Sequence, residues 1–121
     1  TEYGYLEGTL ALDGDPLDIL VLTTFPTFPG CVIETRVVGV LIMSDDKGQD
    51  EKLIGVPKND PRWNHVQKLE DIPPHTLKEI AHFFQVYKDL ENKKTVIEGW
   101  KDAEFAKKLY EECAERYRTQ N

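Results

Sequence analysis

Residues 13 to 20 read DGDPLDIL, which sets Asp13, Asp15 and Asp18 within six positions, directly ahead of an apolar run. A second stretch, DDKGQDEK over residues 45 to 52, carries Asp45, Asp46 and Asp50 and ends on Lys52. Six of the ten aspartates in the chain lie in these two places. Two carboxylates ~4 Å apart repel by about 4 kcal/mol at an effective dielectric of roughly 20, so such clusters need compensation. Divalent cations are the obvious source of it.

The first stretch has a geometric condition. In an extended chain Asp13 and Asp15 point to one face and Asp18 to the other, unless the backbone bends at Gly14 or Pro16. A bend lets the three converge; the same residues also make an ordinary solvated acidic turn. An EF-hand is excluded, because Leu17 occupies the fifth loop position counted from Asp13 and no glycine occupies the sixth. In the second stretch, a reversal near Gly48 and a strand starting near Asp50 would put Asp50 and Lys52 on one face, a carboxylate for a cation beside an ammonium for an anion. A surface hairpin tip accounts for the same composition. A third candidate is YKDLE, residues 87 to 91, although Tyr87 also completes an apolar helix face and Lys88 is favoured near a helix C-terminus on charge grounds alone.

The elements that must position these residues change character halfway along. YGYLEGTLAL, DILVLTTF, CVIETRVVGVLIM and KLIGVP read as short strands, separated by the turn stretches FPTFPG and SDDKGQDE. An irregular connector, NDPRWNHVQKLEDIPPH, follows. A helix is then expected from Thr76, with Thr76 and Glu79 as a capping box and Leu77, Ile80, Phe83, Phe84, Tyr87 and Leu90 on one face. A second helix is expected from about Asp102, its N-cap, with Ala106, Leu109, Tyr110, Cys113 and Tyr117 on its apolar face. TVIEGW between them reads as one more strand. The sum is a single α+β domain with a β-rich first half.

Composition narrows the function. The formal charge of −7 argues against a general nucleic-acid binder, which draws its affinity from lysines and arginines replacing counterions around phosphates. A phosphate substrate remains open if bound cations reverse the local sign. No stretch approaches the ~20 apolar residues of a membrane span. Cys31 and Cys113, with no CxxC pair, fit a reduced, cytoplasmic protein better than a disulfide-stapled one.

Taken together, the three candidates resemble the soluble family I inorganic pyrophosphatases. The resemblance rests on DGDPLDI for the D-x-D-P-x-D motif, DDKGQDEK for the D-x(4)-D-x-K element, and AHFFQVYKDLE, with YGY, FPG and EGW in the same order. It covers essentially the whole chain and is nearest to bacterial members. It implies an OB-like, five-stranded antiparallel β-barrel with two main helices, and Mg²⁺-dependent hydrolysis of pyrophosphate to two orthophosphates. By motif position it implies that Asp13, Asp18 and Asp50 bind metals around the nucleophilic water, that Asp45 joins Asp50 at a further metal, and that Asp15 is the general base. Tyr3, Lys52, Tyr87 and Lys88 would hold phosphate oxygens, with several Mg²⁺ per site. A homo-oligomer, a hexamer in bacterial relatives, is implied as well.

One departure stands beside these matches. Family members carry a portion ahead of YGY that supplies metal and phosphate ligands and barrel strands, whereas this sequence starts at Thr1. The chain is therefore expected to lack that portion and to be weakly active alone. The alternative is a non-catalytic β-barrel module that binds divalent cations or anions. His82 is expected at a core edge or a subunit contact, His65 and His75 at the surface, and Trp63 and Trp100 in packing roles.

Overall fold

In a computed structural model, residues 1–46 and 48–120 are described. Five strands form one sheet: β1 (Glu2–Leu6), β2 (Leu17–Val21), β3 (Thr35–Asp45), β4 (Gly48–Pro57) and β5 (Val96–Asp102). Helix α1 (Pro74–Leu90) precedes β5, and α2 (Ala103–Gln120) follows it. The α+β class, the five strands and the two helices are as the sequence implies.

The sheet is mixed, which corrects the expectation of purely antiparallel strands. Its order is β1-β2-β4-β3-β5, and β2 runs parallel to β4. β4 runs antiparallel to β3, with Asp45 opposite Gly48, as the short sequence separation of the two strands dictates. The long excursion of residues 22–34 returns the chain so that β4 shares the direction of β2, and no local signal records that choice. β1 and β5 lie at the two ends of the strand order.

Period-two alternation assigns each side of the sheet to a helix. Leu17, Ile19, Val21, Val40, Ile42 and Leu53 pack with Ala106 and Cys113 of α2. The alternate positions Leu20, Leu41 and Met43 pack with Phe84 of α1. Covered on both faces, the middle of β3 is buried from Val38 to Met43 apart from the glycine's own lack of a side chain. Each such aliphatic side chain contributes about 1.5–3 kcal/mol. Gly55 is required where β3 and β4 shift register, since a Cβ there would lie 2.5 Å from Thr35 Cγ2 and 2.7 Å from the Arg36 carbonyl.

Several boundaries differ from the sequence reading. The first strand stops at Leu6, because Thr9 turns the chain: its hydroxyl donates to the Leu6 carbonyl at 2.6 Å and accepts the Leu17 N–H at 3.0 Å. α1 begins at Pro74, two residues before Thr76, and Pro73 caps it without a side-chain hydrogen bond, so the Thr76–Glu79 capping box is not formed. Two prolines preset φ and lack the N–H groups that a first turn leaves unpaired, which starts the helix early. On α1 only Phe84 of the expected face is buried; Phe83 and Leu90 are 60% and 79% exposed. On α2, Tyr110 and Tyr117 are also exposed, and Ala114 is buried instead. Asp102 caps α2 as expected, accepting the Phe105 N–H at 3.0 Å.

The connector is held by Arg36, which donates to the Val66 and Trp63 carbonyls at 3.0 and 3.1 Å. Trp63 and Trp100 pack at the margins of the core. His65 stacks on Trp63, His75 bonds Glu79 at 2.6 Å, and His82 is exposed on α1.

Candidate functional site

Lys52 is the centre of the arrangement. It lies on the α1 side of β4, level with Asp18 across the parallel seam and two residues beyond Asp50 on the same strand. Its ammonium donates to Asp18 Oδ2 at 2.7 Å and lies 3.1 Å from Asp50 Oδ1. It also donates to the Tyr3 hydroxyl at 2.9 Å, and the ring faces of Tyr3 and Phe84 lie 5.4 and 5.7 Å from it. Only 6% of its side chain is exposed. Burial alone would favour the neutral amine, but the hydrogen bonds to Asp18 and Tyr3 and the charge of Asp50 outweigh it and raise the pKa above the ordinary lysine value. Lys52 is therefore a permanent cation.

A second lysine stands behind it. Lys88 Nζ, on the last turn of α1, is 3.8 Å from Asp50 Oδ2. Lys52, Lys88, Tyr3 and Tyr87 line one cleft of about 710 Å³, floored by Leu20, Ile80 and Phe84. Burial raises the Tyr3 phenol pKa against the opposing pull of Lys52. Tyr87 is raised through its hydrogen bond to Glu91. Both hydroxyls stay protonated at neutral pH.

The acidic turn approaches from the side. Gly14, at φ 90°, reverses the chain, so Asp13 and Asp15 do not share a strand face as an extended chain would have them. Gly14 donates to the Ala11 carbonyl at 3.0 Å, Ala11 to the Asp15 carbonyl at 2.8 Å, and Asp15 donates its N–H to Asp13 Oδ1 at 3.0 Å. Asp13 thereby lines a small hollow with Asp18, Asp50 and Glu51. The side chain of Asp15 is exposed and lines neither hollow nor cleft. Asp45 shares a sheet face with Asp50, since Asp50 opposes Met43 in the register, and its charge acts on Lys93.

Of the nine residues singled out in the sequence, Tyr3, Asp18, Asp50, Lys52 and Lys88 are joined by direct contacts, and Asp13 and Tyr87 border the same ground. Asp15 and Asp45 stand at its margin. Among the described residues no three His, Cys, Asp or Glu side chains already converge as a metal cluster. The donor chemistry nevertheless fits a hard divalent cation: the carboxylates around the hollow supply oxygen only, and the ammonium between Asp18 and Asp50 occupies a position where positive charge is stabilised.

Three participants escaped the sequence reading. Lys93 and Glu91 border the cleft and are paired at 3.1 Å; the run of charges after Tyr87 was the available signal. Glu51, on the α2 side of β4, borders the hollow, and its pKa is raised by burial and by the charges of Asp50 and Asp13, with Arg116 opposing.

Residues 1–118 match the Pyrophosphatase family, described as inorganic pyrophosphatase. The inorganic pyrophosphatase of Geobacillus stearothermophilus is 63% identical over 119 residues, spanning 98% of this chain and 72% of that protein. The inorganic pyrophosphatase of Methanosarcina mazei is 55% identical over 119 residues, spanning 98% and 70%. The crystal structure of inorganic pyrophosphatase from Thermus thermophilus superposes with a TM-score of 0.91 at 47% identity, covering 96% of this chain and 68% of that one.

Proposed function

This chain belongs to the inorganic pyrophosphatase family, and from that premise we propose that it hydrolyses pyrophosphate to two orthophosphates, with Mg²⁺ held by Asp13, Asp18 and Asp50 and Asp45 assisting at Asp50. The observation that carries the reading is the junction at Lys52, where carboxylates suited to a cation meet an ammonium and phenols suited to phosphate, at the mouth of one cleft.

Pyrophosphate resists water because its charged oxygens repel a nucleophile. Bound Mg²⁺ supplies charge neutralisation and makes water acidic enough to be deprotonated near neutral pH. The chain's own residues do the rest. Asp15, exposed and next to the hollow's Asp13, accepts the proton of the attacking water. Lys52 and Lys88 neutralise phosphate oxygens, and Tyr3 and Tyr87 donate hydroxyl hydrogen bonds to them. As the water oxygen bonds to one phosphorus, the bridging bond breaks and its electron pair leaves on the second phosphate, where these donors meet the charge.

The same reading extends to assembly and setting. The exposed Phe83, Leu90 and His82 of α1 support contact between copies of the chain, a homohexamer by resemblance. Both cysteines are free, which supports a reducing, cytoplasmic setting. No helix among the described residues is long and apolar enough to cross a membrane. The net charge of −7 supports no role in nucleic-acid binding.

The test is orthophosphate release from pyrophosphate with Mg²⁺ and with chelator. Release that requires Mg²⁺ and disappears in Asp50→Asn is expected. Retained Mg²⁺ binding without turnover would instead identify a cation-binding module.

A further inference from the structure

The acidic turn is tied to the rest of the protein through the residue before it. Leu10 donates its N–H to the Cys113 carbonyl at 2.9 Å, and its own carbonyl accepts from Arg116 Nη1 at 2.7 Å. Both partners lie near the end of α2, one turn apart, so a single helix holds both main-chain polar groups of Leu10. Arg116 Nη1 also approaches Cys113 Sγ at 3.8 Å, which fixes the guanidinium against its own helix. The Arg116 bond is the charge-assisted one of the two and therefore the stronger.

From Leu10 the constraint passes into the turn. Ala11 is bonded to Asp15 through its N–H and to Gly14 through its carbonyl, and the Asp13 carboxylate is bonded to the Asp15 N–H. The turn is thus a closed hydrogen-bonded unit, and loss of the hold on Leu10 would allow it to shift. What such a shift would change is the placement of Asp13 beside Asp18 and Asp50, which stand on rigid strands.

We propose that Arg116 is a positioning residue: by holding the Leu10 carbonyl it sets Asp13 against Asp18 and Asp50 and thereby sets the affinity of the hollow for a divalent cation. This rests on the reading of the hollow as the cation site. Groups that orient a metal ligand from behind typically cost about 10- to 100-fold in metal affinity when removed.

The test is calorimetric titration of the full chain with Mg²⁺ alone and, separately, with inorganic phosphate, for wild type, Arg116→Met, Arg116→Lys and Asp13→Asn. Arg116→Met should weaken Mg²⁺ binding about tenfold or more while phosphate binding stays within about twofold, a split that general loosening of the fold would not give. Arg116→Lys keeps charge and stem but not the planar fork, guards against misfolding, and should weaken Mg²⁺ binding by about threefold or more. Wild-type Mg²⁺ affinity in the lysine variant, or parallel loss of Mg²⁺ and phosphate in the methionine variant, would overturn the proposal. Asp13→Asn separates the two readings. If it weakens Mg²⁺ binding and the Arg116 variants do not, only the role of Arg116 fails; if it leaves Mg²⁺ binding intact, the cation site is elsewhere and both fail.

Discussion

Lys52 and Asp18 face one another across the only parallel pairing among the described strands, with Nζ 2.7 Å from Oδ2 and their Cα atoms in register. The contact joins residues 34 positions apart, and it exists because β4 lies beside β2 rather than because of any local motif. The single ammonium separates Asp18 from Asp50, so it serves the fold as the compensating charge that the acidic cluster needs.

Lys52→Met should therefore destabilise the protein in chelator by about 2 kcal/mol, the scale of hydrogen bonds to charged groups, with the partial exposure of Asp18 limiting the loss. Saturating Mg²⁺ should recover more stability in the variant than it adds to wild type, since Asp18 and Asp50 then bind a cation without displacing the Lys52 ammonium. Urea unfolding midpoints with and without Mg²⁺ check both. An equal Mg²⁺ effect in the two proteins would show that Lys52 and the cation do not share these carboxylates.

Glu51→Gln provides a pH-dependent test. Burial and the neighbouring Asp50 and Asp13 raise the Glu51 pKa above 4.5, so the favourable contribution of its protonated form is complete below that value and is lost as pH rises through the higher folded value. At pH 7 the ionised carboxylate is a liability, softened by solvent and by Arg116. In chelator, Glu51→Gln should raise the thermal midpoint at pH 7 and give no gain at pH 4. A gain of equal size at both values would show that charge is not the cause.

These two residues also mark what the sequence could and could not convey. That Asp50 and Lys52 share a face follows from the period of a strand, and that Asp102 caps α2 follows from capping chemistry; both are local and both hold. The meeting of Asp18 with Lys52, and of Arg116 with Leu10 across 106 positions, depends on strand order and helix docking, which no short spacing encodes. Glu51 draws no role from the sequence, because alternation assigns it to a face without saying that the acidic turn lies beside that face. The periodicity of α1 likewise identified residues on a common face, but it could not say that Phe83 and Leu90 would be left uncovered. α1 starts at Pro74 because a Pro-Pro start requires no side-chain cap, and the Thr-x-x-Glu pattern two residues later goes unused.

Asp15→Asn isolates the proposed base. The turn uses the Asp15 N–H and carbonyl, whereas its carboxylate is exposed, so the amide leaves the main-chain bonds and the Asp13 placement intact. Turnover of pyrophosphate should fall by about 10²- to 10⁴-fold, the range for a lost general base, while Mg²⁺ binding measured by calorimetry changes little. Unchanged turnover would remove Asp15 from the proton transfer.

Asp102→Ala addresses the fold away from the site. The Asp102 carboxylate satisfies the Phe105 N–H at the start of α2, and the helix buries Ala106 and Cys113 against the sheet and carries Arg116 to Leu10. Loss of the cap should cost about 1 kcal/mol, while Asp102→Asn, which keeps an acceptor oxygen, should cost only a few tenths. Because the first turn of α2 lies far along the helix from Arg116, the alanine variant should lower the unfolding midpoint with native Mg²⁺ affinity under folded conditions. A fall in Mg²⁺ affinity as well would mean that the N-terminal turn of α2, and not only the Arg116 contact, governs where the acidic turn is held.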